Sequence, residues 1–466
     1  MSKNYDVAVI GSGPGGYVSA IRLRQLDRTV CVIDLDEARL GGVCLNEGCI
    51  PVKSLINSAV TFSTVKRAGE WGVEAELKAP DMKRMVRCSQ NTVSRLRAGL
   101  KGLFKKYKID FIEGRAKLIT GNKVKIDLKN GKEEEIEADK IIVAAGSSPE
   151  VPPGIKVDRE RIITSSEVIK LERVPRTLLV IGAGVVGVEY ASMFAFLETR
   201  VTLIEAMPDI LPFEDGDVSR TLAGIFKKRG IEVFTNTKAV SLNRKKETVE
   251  VVLASGGGEK KSEFDYVLIA AGRKPNTKNI GLNEAGVKLN NGFMVTDDKM
   301  RTNIKNIYAV GDVLNTPMYA HAAYKEGLIA AENIAGEKTE KIDYKNVPGV
   351  VFSQPQVASV GLTEKEAKER GRNIAVSKHF FKANSMAAIS HKDEGFIKIV
   401  ADKDTKAILG AHIIGGEAAE ILHEFVIAKN SGLSIEDVAK TVHAHPTFSE
   451  IAVDAAKAVF GKPIHG

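Results

Sequence analysis

Two copies of one fingerprint, an apolar strand running into a glycine-rich turn and then a helical pattern, predict an α/β chain with two Rossmann-like dinucleotide-binding domains. After about Asp343 the pattern changes to alternating strands followed by helices, which adds a separate C-terminal α+β domain. A pair of cysteines just downstream of the first fingerprint indicates that at least one of the nucleotides serves redox chemistry.

The first fingerprint starts with Val7-Ala8-Val9-Ile10, turns at Gly11-Ser12-Gly13-Pro14-Gly15-Gly16 and continues as a helical pattern from Tyr17 to Leu26. Glycines at 11, 13 and 16 let the chain turn sharply, let a pyrophosphate approach the backbone and let helix pack on strand, while the helix N-terminus offers N–H donors to phosphate. The next apolar run, Val30-Cys31-Val32-Ile33, ends at Asp34, whose carboxylate is placed to accept hydrogen bonds from a ribose. A glycine pattern alone also fits an ordinary loop; the flanking strand, the helix and an acid at the proper distance favour the nucleotide.

Cys44 and Cys49 follow in Gly41-Gly42-Val43-Cys44-Leu45-Asn46-Glu47-Gly48-Cys49-Ile50-Pro51-Val52-Lys53. A dithiol releases two electrons together and a dinucleotide cofactor can accept two, so this stretch holds both halves of an electron relay. The 4 cysteines of the chain are too few for a structural disulfide framework in 466 residues, and Cys31 and Cys88 are expected to be ordinary thiols.

The remainder of the first unit is a strand pair turning at Asn130-Gly131, then Ile141-Ile142-Val143 and Ala144-Ala145-Gly146, with Ser147 to Gly154 as a linker. The second unit repeats the scheme. Leu178-Leu179-Val180-Ile181 leads into Gly182-Ala183-Gly184-Val185-Val186-Gly187, and Val201-Thr202-Leu203-Ile204 ends at Glu205. A turn at Ser255 to Gly258 and the run Val267 to Gly272 complete it. The Glu205 carboxylate can bind both ribose hydroxyls and would repel a 2′-phosphate, so NAD is favoured over NADP. Further on, Thr302 to Val310 reads as a strand entering Gly311-Asp312; an acid there suits a polyhydroxyl chain such as ribityl, and equally a helix cap.

Near the C-terminus stands His443-Ala444-His445-Pro446-Thr447-Phe448-Ser449-Glu450. A free thiol is only a few per cent ionised at neutral pH, so dithiol exchange gains from a histidine base whose far nitrogen is held by an acid such as Glu450. The same residues also read as a surface loop or a metal pair, although no further ligand cluster accompanies them. The formal charge of +8 is spread along the chain without a nucleic-acid motif, Lys105, Lys106 and Lys108 reading as a solvated helix end. No apolar run is long enough to span a membrane, and the first strand leaves no room for a leader, so a soluble cytoplasmic protein is expected, or a mitochondrial matrix one if this is a processed form.

Two fingerprints, the Gly-Gly-x-Cys-Leu-Asn-x-Gly-Cys-Ile-Pro-x-Lys segment, the Gly-Asp motif and the His-Pro-Thr-x-Ser-Glu tail, in this order, resemble the dihydrolipoamide dehydrogenases among the pyridine nucleotide-disulfide oxidoreductases. The resemblance covers nearly the whole chain. It implies FAD and NAD as cofactors, a homodimer, and lipoyl-bearing proteins of 2-oxo acid dehydrogenase or glycine-cleavage complexes as partners, with no metal. It divides the chain into residues 1–149, the first part of an FAD-binding domain; 150–272, an NAD-binding domain; 273–345, the second, central part of the FAD domain; and 346–466, a dimerisation domain.

Position by position, the resemblance places FAD on Gly11, Gly13, Gly16, Asp34, Gly114, Asp312 and Ala320, with Asp34 where the family more often has Glu. It places NAD on Gly182, Gly184, Gly187, Glu205 and Gly272. Cys44 becomes the thiol that exchanges with substrate and Cys49 the one facing the flavin, with Lys53 and Glu189 near its reactive ring and His445 and Glu450 as base and orienting acid from the partner subunit. Lys53 and Glu189 also read as surface residues. Val52 and Gln356 depart from the family pattern away from this chemistry. Glutathione reductase and mercuric reductase fit less well, since no arginine pair follows Glu205 and no C-terminal cysteines are present. A flavin-bearing scaffold would need neither the dithiol nor the histidine.

Overall fold

The structure is a computed structural model that describes residues 3–465. At the centre of the first unit, strand Lys3–Ile10 pairs in parallel with Val30–Asp34 on one side and Glu133–Val143 on the other. Asp110–Leu118 lies beyond the former and Ile307–Ala309 beyond the latter, both parallel. These strands read as continuous apolar runs because both of their faces are buried, and Val7, Val9, Val32 and Ile142 are fully buried. Asp110–Leu118 and Glu133–Val143 run past the parallel sheet, where Lys123–Leu128 pairs antiparallel with each and Asn130-Gly131 makes the turn.

In the second unit Thr177–Ile181 is central, flanked in parallel by Arg200–Ile204 and Tyr266–Ile269, with Glu232–Phe234 and Ile162–Thr164 at the edges. An antiparallel meander, Lys238–Arg244, Val249–Ser255 and Gly258–Phe264, repeats the first unit's insertion.

Two local expectations change. Ser147–Pro149, read as linker, is a short strand paired antiparallel with Arg273–Pro275, because the chain leaves the first unit and returns to it at the same place. The strand expected from Thr302 is confined to Ile307–Ala309. The Thr302 hydroxyl accepts the Ile304 N–H and the Ile307 N–H bonds the Ile304 carbonyl, so a side chain able to close its own turn competes with the sheet.

The C-terminal domain is an antiparallel sheet of Gly349–Val351, Gln356–Gly361, Ile408–Gly415, Phe396–Asp402 and Ile374–Phe380, in that spatial order. Helices Ala418–Asn430 and Glu450–Ala458 pack on it around Phe425, Ile421, Ile397 and Ile413. A buried lysine joins this domain to the second unit. Lys398 Nζ lies 2.8 Å from Asp215, 2.9 Å from Asp217 and 2.7 Å from Glu364, with only 3% of its side chain exposed. Asp215 also caps helix Gly216–Lys228.

Removing that ammonium leaves the buried Asp215 carboxylate without its counter-charge. Lys398→Met is therefore expected to destabilise the fold by about 3 kcal/mol. The thermal midpoint should fall accordingly, and adding Asp215→Asn should recover part of the loss in the same melting experiment.

Candidate active site

Gly41 and Gly42, at φ +93° and +63°, turn the chain into the short helix Gly42–Asn46. A Cβ on Gly42 would sit 2.5 Å from the Cα of Gly13, so the absence of side chains lets the cysteine segment lie on the first fingerprint turn. Asn46 Nδ2 donates to the carbonyls of Leu40 at 3.1 Å and Gly42 at 2.8 Å, tying the segment down.

Cys49 is the first residue of helix Cys49–Lys66, where unpaired N–H groups favour an anion. The half-buried thiols of Cys44 and Cys49 are in hydrogen-bond contact. That hydrogen bond from Cys44 is the main reason the Cys49 thiol falls to about 7, the Lys53 charge adding to it against burial and Glu189. Cys44 is pushed far up, by the same hydrogen bond and then by burial. Cys49 is thus the sulfur that carries negative charge when the pair is reduced.

One turn along this helix, Lys53 Nζ is bidentate to Glu189 at 2.8 and 2.7 Å. Glu189 comes from the helix of the second fingerprint, Val185–Phe196, and its side chain is 3% exposed. Its Oε1 also accepts the Phe352 N–H at 2.9 Å, while the Phe352 ring lies 5.1 Å from the lysine nitrogen. A lysine of the first unit, a carboxylate of the second and a backbone amide of the third converge beside the thiols.

A continuous cavity of ≈ 2730 Å³ runs past these groups and both fingerprints. Gly11, Gly13, Asp34, Gly114, Asp312 and Ala320 line its first arm; Gly182, Gly184, Glu205 and Gly272 line its second. Gly16 and Gly187 are tucked beneath, each so close to the first glycine of its turn that a Cβ would meet a carbonyl oxygen at 2.0 or 1.9 Å. Both strand-end acids are drawn to their own turns. Asp34 Oδ2 accepts Ser12 N–H at 2.8 Å and Ser12 O–H at 2.6 Å, and Glu205 Oε2 accepts Ala183 N–H at 2.7 Å. Each carboxylate keeps lone pairs for a ribose.

His445 Nδ1 is 2.9 Å from Glu450 Oε1, and Glu450 Oε2 accepts the Thr447 N–H at 2.8 Å. Burial would raise the Glu450 carboxyl, but the Thr447 N–H and His445 hold it below its ordinary value. The imidazole is largely exposed and does not line the cavity that contains the dithiol.

The profile described as "Pyridine nucleotide-disulphide oxidoreductase" matches residues 5–327, and that for the dimerisation domain of the same group matches residues 347–456. The chain belongs to the pyridine nucleotide-disulphide oxidoreductase family. It is 40% identical to the dihydrolipoyl dehydrogenase of Bacillus subtilis over 99% of this chain and 97% of that protein. With mitochondrial dihydrolipoyl dehydrogenase 1 of Arabidopsis thaliana the identity is 39%, over 100% of this chain and 92% of the relative. Among solved structures it superposes on LpdA from Mycobacterium tuberculosis with a TM-score of 0.90 at 27% identity, covering 98% of this chain and 100% of that one.

Members of this family use FAD and NAD(H), and the cavity suits both. Its first arm presents bare backbone at Gly13, the amino end of helix Pro14–Gln25 and the Asp34 carboxylate. Several contacts around these residues had no signal in the sequence. Asp312 is fixed by Ser147 O–H at 2.5 Å, itself held by Arg273 Nε at 2.7 Å. Glu326, fully buried, accepts Gly311 N–H at 2.6 Å and the Thr316 and Tyr344 hydroxyls at 2.8 Å each. Tyr17 and Tyr324 share a hydrogen bond of 2.9 Å within the field of Cys44.

Lys53→Met removes a positive charge beside Cys49 and leaves Glu189 unopposed, and both changes raise the thiol. The Cys49 titration in the reduced enzyme is expected to move upward from about 7. Ultraviolet thiolate absorbance followed against pH reads the shift, with less thiolate in the variant than in the wild type at pH near neutrality.

Proposed function

We propose that this chain, as a homodimer, oxidises protein-bound dihydrolipoyl groups to lipoyl disulfides and passes the electrons to NAD⁺. The observation that carries the reading is the Cys44–Cys49 pair set between two nucleotide turns beside the Lys53–Glu189 ion pair. Full-length similarity to dihydrolipoyl dehydrogenases supports the substrate. The matched dimerisation domain, and a histidine base standing away from its own dithiol, support the dimer.

In this scheme Gly11, Gly13, Gly114, Asp312 and Ala320 would hold FAD with Asp34 on its ribose, and Gly182, Gly184, Gly272 and Glu205 would hold NAD. His445 of the partner subunit takes the proton of one substrate thiol, its imidazolium stabilised by Glu450. The thiolate attacks Cys44 Sγ of the oxidised pair; the Cys44–Cys49 bond breaks and Cys49 leaves as thiolate, the state its surroundings favour. The second substrate thiol then attacks the mixed disulfide, releasing the cyclic disulfide and returning Cys44 as a thiol. Bound FAD supplies the two-electron conduit from Cys49 to NAD⁺. Lys53 holds positive charge where electron density accumulates, and Glu189 keeps that lysine in place. The carrier proteins are those of 2-oxo acid dehydrogenase or glycine-cleavage complexes, and the compartment is the cytoplasm or the mitochondrial matrix.

FAD-loaded protein given dihydrolipoamide and NAD⁺ is expected to form NADH, and Cys49→Ser to abolish that turnover while retaining flavin. No NADH from fully loaded wild-type protein would overturn the substrate assignment. Mixing Cys44→Ser with His445→Gln tests the shared site: each parent is inactive, while random re-pairing of a twofold dimer restores one intact site per heterodimer, about one quarter of wild-type activity.

A further inference from the structure

In His443-Ala444-His445 the two rings have opposite surroundings. The His445 side chain is 69% exposed and has only its Nδ1 engaged. The His443 side chain is 10% exposed, and an acceptor faces each nitrogen: Glu424 Oε2 at 2.8 Å from Nε2 and the Thr441 carbonyl at 3.3 Å from Nδ1. With both nitrogens engaged, His443 cannot join His445 on a metal ion, and no metal-binding group of side chains occurs among the described residues.

Residues 441–446 form an irregular segment after helix Ile435–Lys440, and they deliver His445 to the surface. Such a segment has little to fix it. Beyond His445, Asn384 Nδ2 donates to the Thr447 carbonyl at 3.0 Å, and the Thr447 hydroxyl closes onto Ala444 O at 2.8 Å. On the amino-terminal side, Thr441 bonds the helix it follows, its N–H to the Val438 carbonyl at 3.1 Å and its hydroxyl to the Asp437 carbonyl at 2.9 Å, and among the described residues His443 to Glu424 is the tie that reaches a further element. Glu424 stands on helix Ala418–Asn430, which is packed against the C-terminal sheet. His443 is also close enough to Glu450 for its charge to act on that carboxylate.

We propose that His443 and Glu424 are a positioning pair that anchors this segment to the rigid helix, so that the reactive face of His445 is presented at one fixed place to the partner's dithiol. The proposal rests on the reading of His445 as the base. A buried imidazole suits the task because its rigid ring spans two acceptors on opposite sides, which a flexible lysine would do only with loss of side-chain entropy. His443 itself touches neither substrate nor sulfur in this assignment.

In the FAD-loaded dimer, His443→Ala and Glu424→Ala are each expected to lower kcat for dihydrolipoamide about 10- to 100-fold, the scale of a base displaced by roughly 1 Å, with KM little changed. His443→Gln, which keeps an N–H for Glu424, should recover most of the loss. NADH–ferricyanide turnover, which needs neither dithiol nor base, reports flavin loading, and light scattering reports the dimer. Wild-type kcat in Glu424→Ala overturns the proposal even where His443→Ala fails to assemble. If wild-type protein itself leaves dihydrolipoamide unoxidised, the functional reading fails separately; the pair is then judged by alkylation of Cys44 against pH in the NADH-reduced dimer. A displaced profile in Glu424→Ala supports the anchor, and an unchanged one overturns it.

Discussion

A side chain at position 42 would bring its Cβ within 2.5 Å of Gly13 Cα, and everything around the sulfurs follows from the bare contact that glycine permits there. The dithiol segment can lie directly on the turn of the first fingerprint, with no side chain to hold them apart. From that contact the helix Cys49–Lys66 sets out with Cys49 at its amino end and Lys53 one turn on. The same helix packs against that of the second fingerprint, which carries Glu189. One close approach of backbone to backbone thus places sulfur, cation and carboxylate between the two arms of the cavity.

The electrostatics of the site divide labour between two chemically identical side chains. Cys49 gains from the helix terminus, the Cys44 hydrogen bond and Lys53; Cys44, which donates that hydrogen bond, is held neutral. A dithiol with one sulfur disposed to carry charge and the other to stay protonated has a direction built in. Glu189 limits the effect of Lys53 while fixing its position, and the Phe352 amide keeps Glu189 oriented from the third domain. Buried charges also recur at Lys398, where Asp215 and Asp217 from across another domain boundary, with Glu364 of its own domain, compensate one ammonium. In both places a charge taken from water is balanced by partners from a different unit, and the units are thereby held in register.

The acid–base pair obeys another constraint. Under the proposed function His445 must be open on one side to act on a thiol, and it must be held on the other to keep its orientation. The chain has a carboxylate on one nitrogen and a largely exposed ring that lies outside the lining of the cavity holding its own sulfurs. The family's dimerisation domain carries it, and under the proposed function assembly and completion of the site are a single event.

The fold class was legible because its signals are local: a strand, a glycine turn and a helix are neighbours in sequence, and a two-faced parallel strand advertises itself as an unbroken apolar run such as Val7 to Ile10. The cysteine spacing, the strand-end acids Asp34 and Glu205, and the adjacency of His445 and Glu450 were readable for the same reason. Contacts between residues far apart in sequence were not. Lys53 and Glu189, 2.7 Å apart, were brought together by the family resemblance alone, nothing in helix Ala320–Ala335 marks Glu326 as the acceptor for Gly311, and nothing in strand Phe396–Asp402 marks Lys398 as buried among carboxylates. The pairing of Ser147–Pro149 with Arg273–Pro275 likewise needs two passages of chain to meet. Local sequence determined which elements and reactive groups exist, since backbone preference and hydrophobic period act over a few residues; tertiary packing alone decided which charges face one another, since burial and Coulomb energy depend on distance through space.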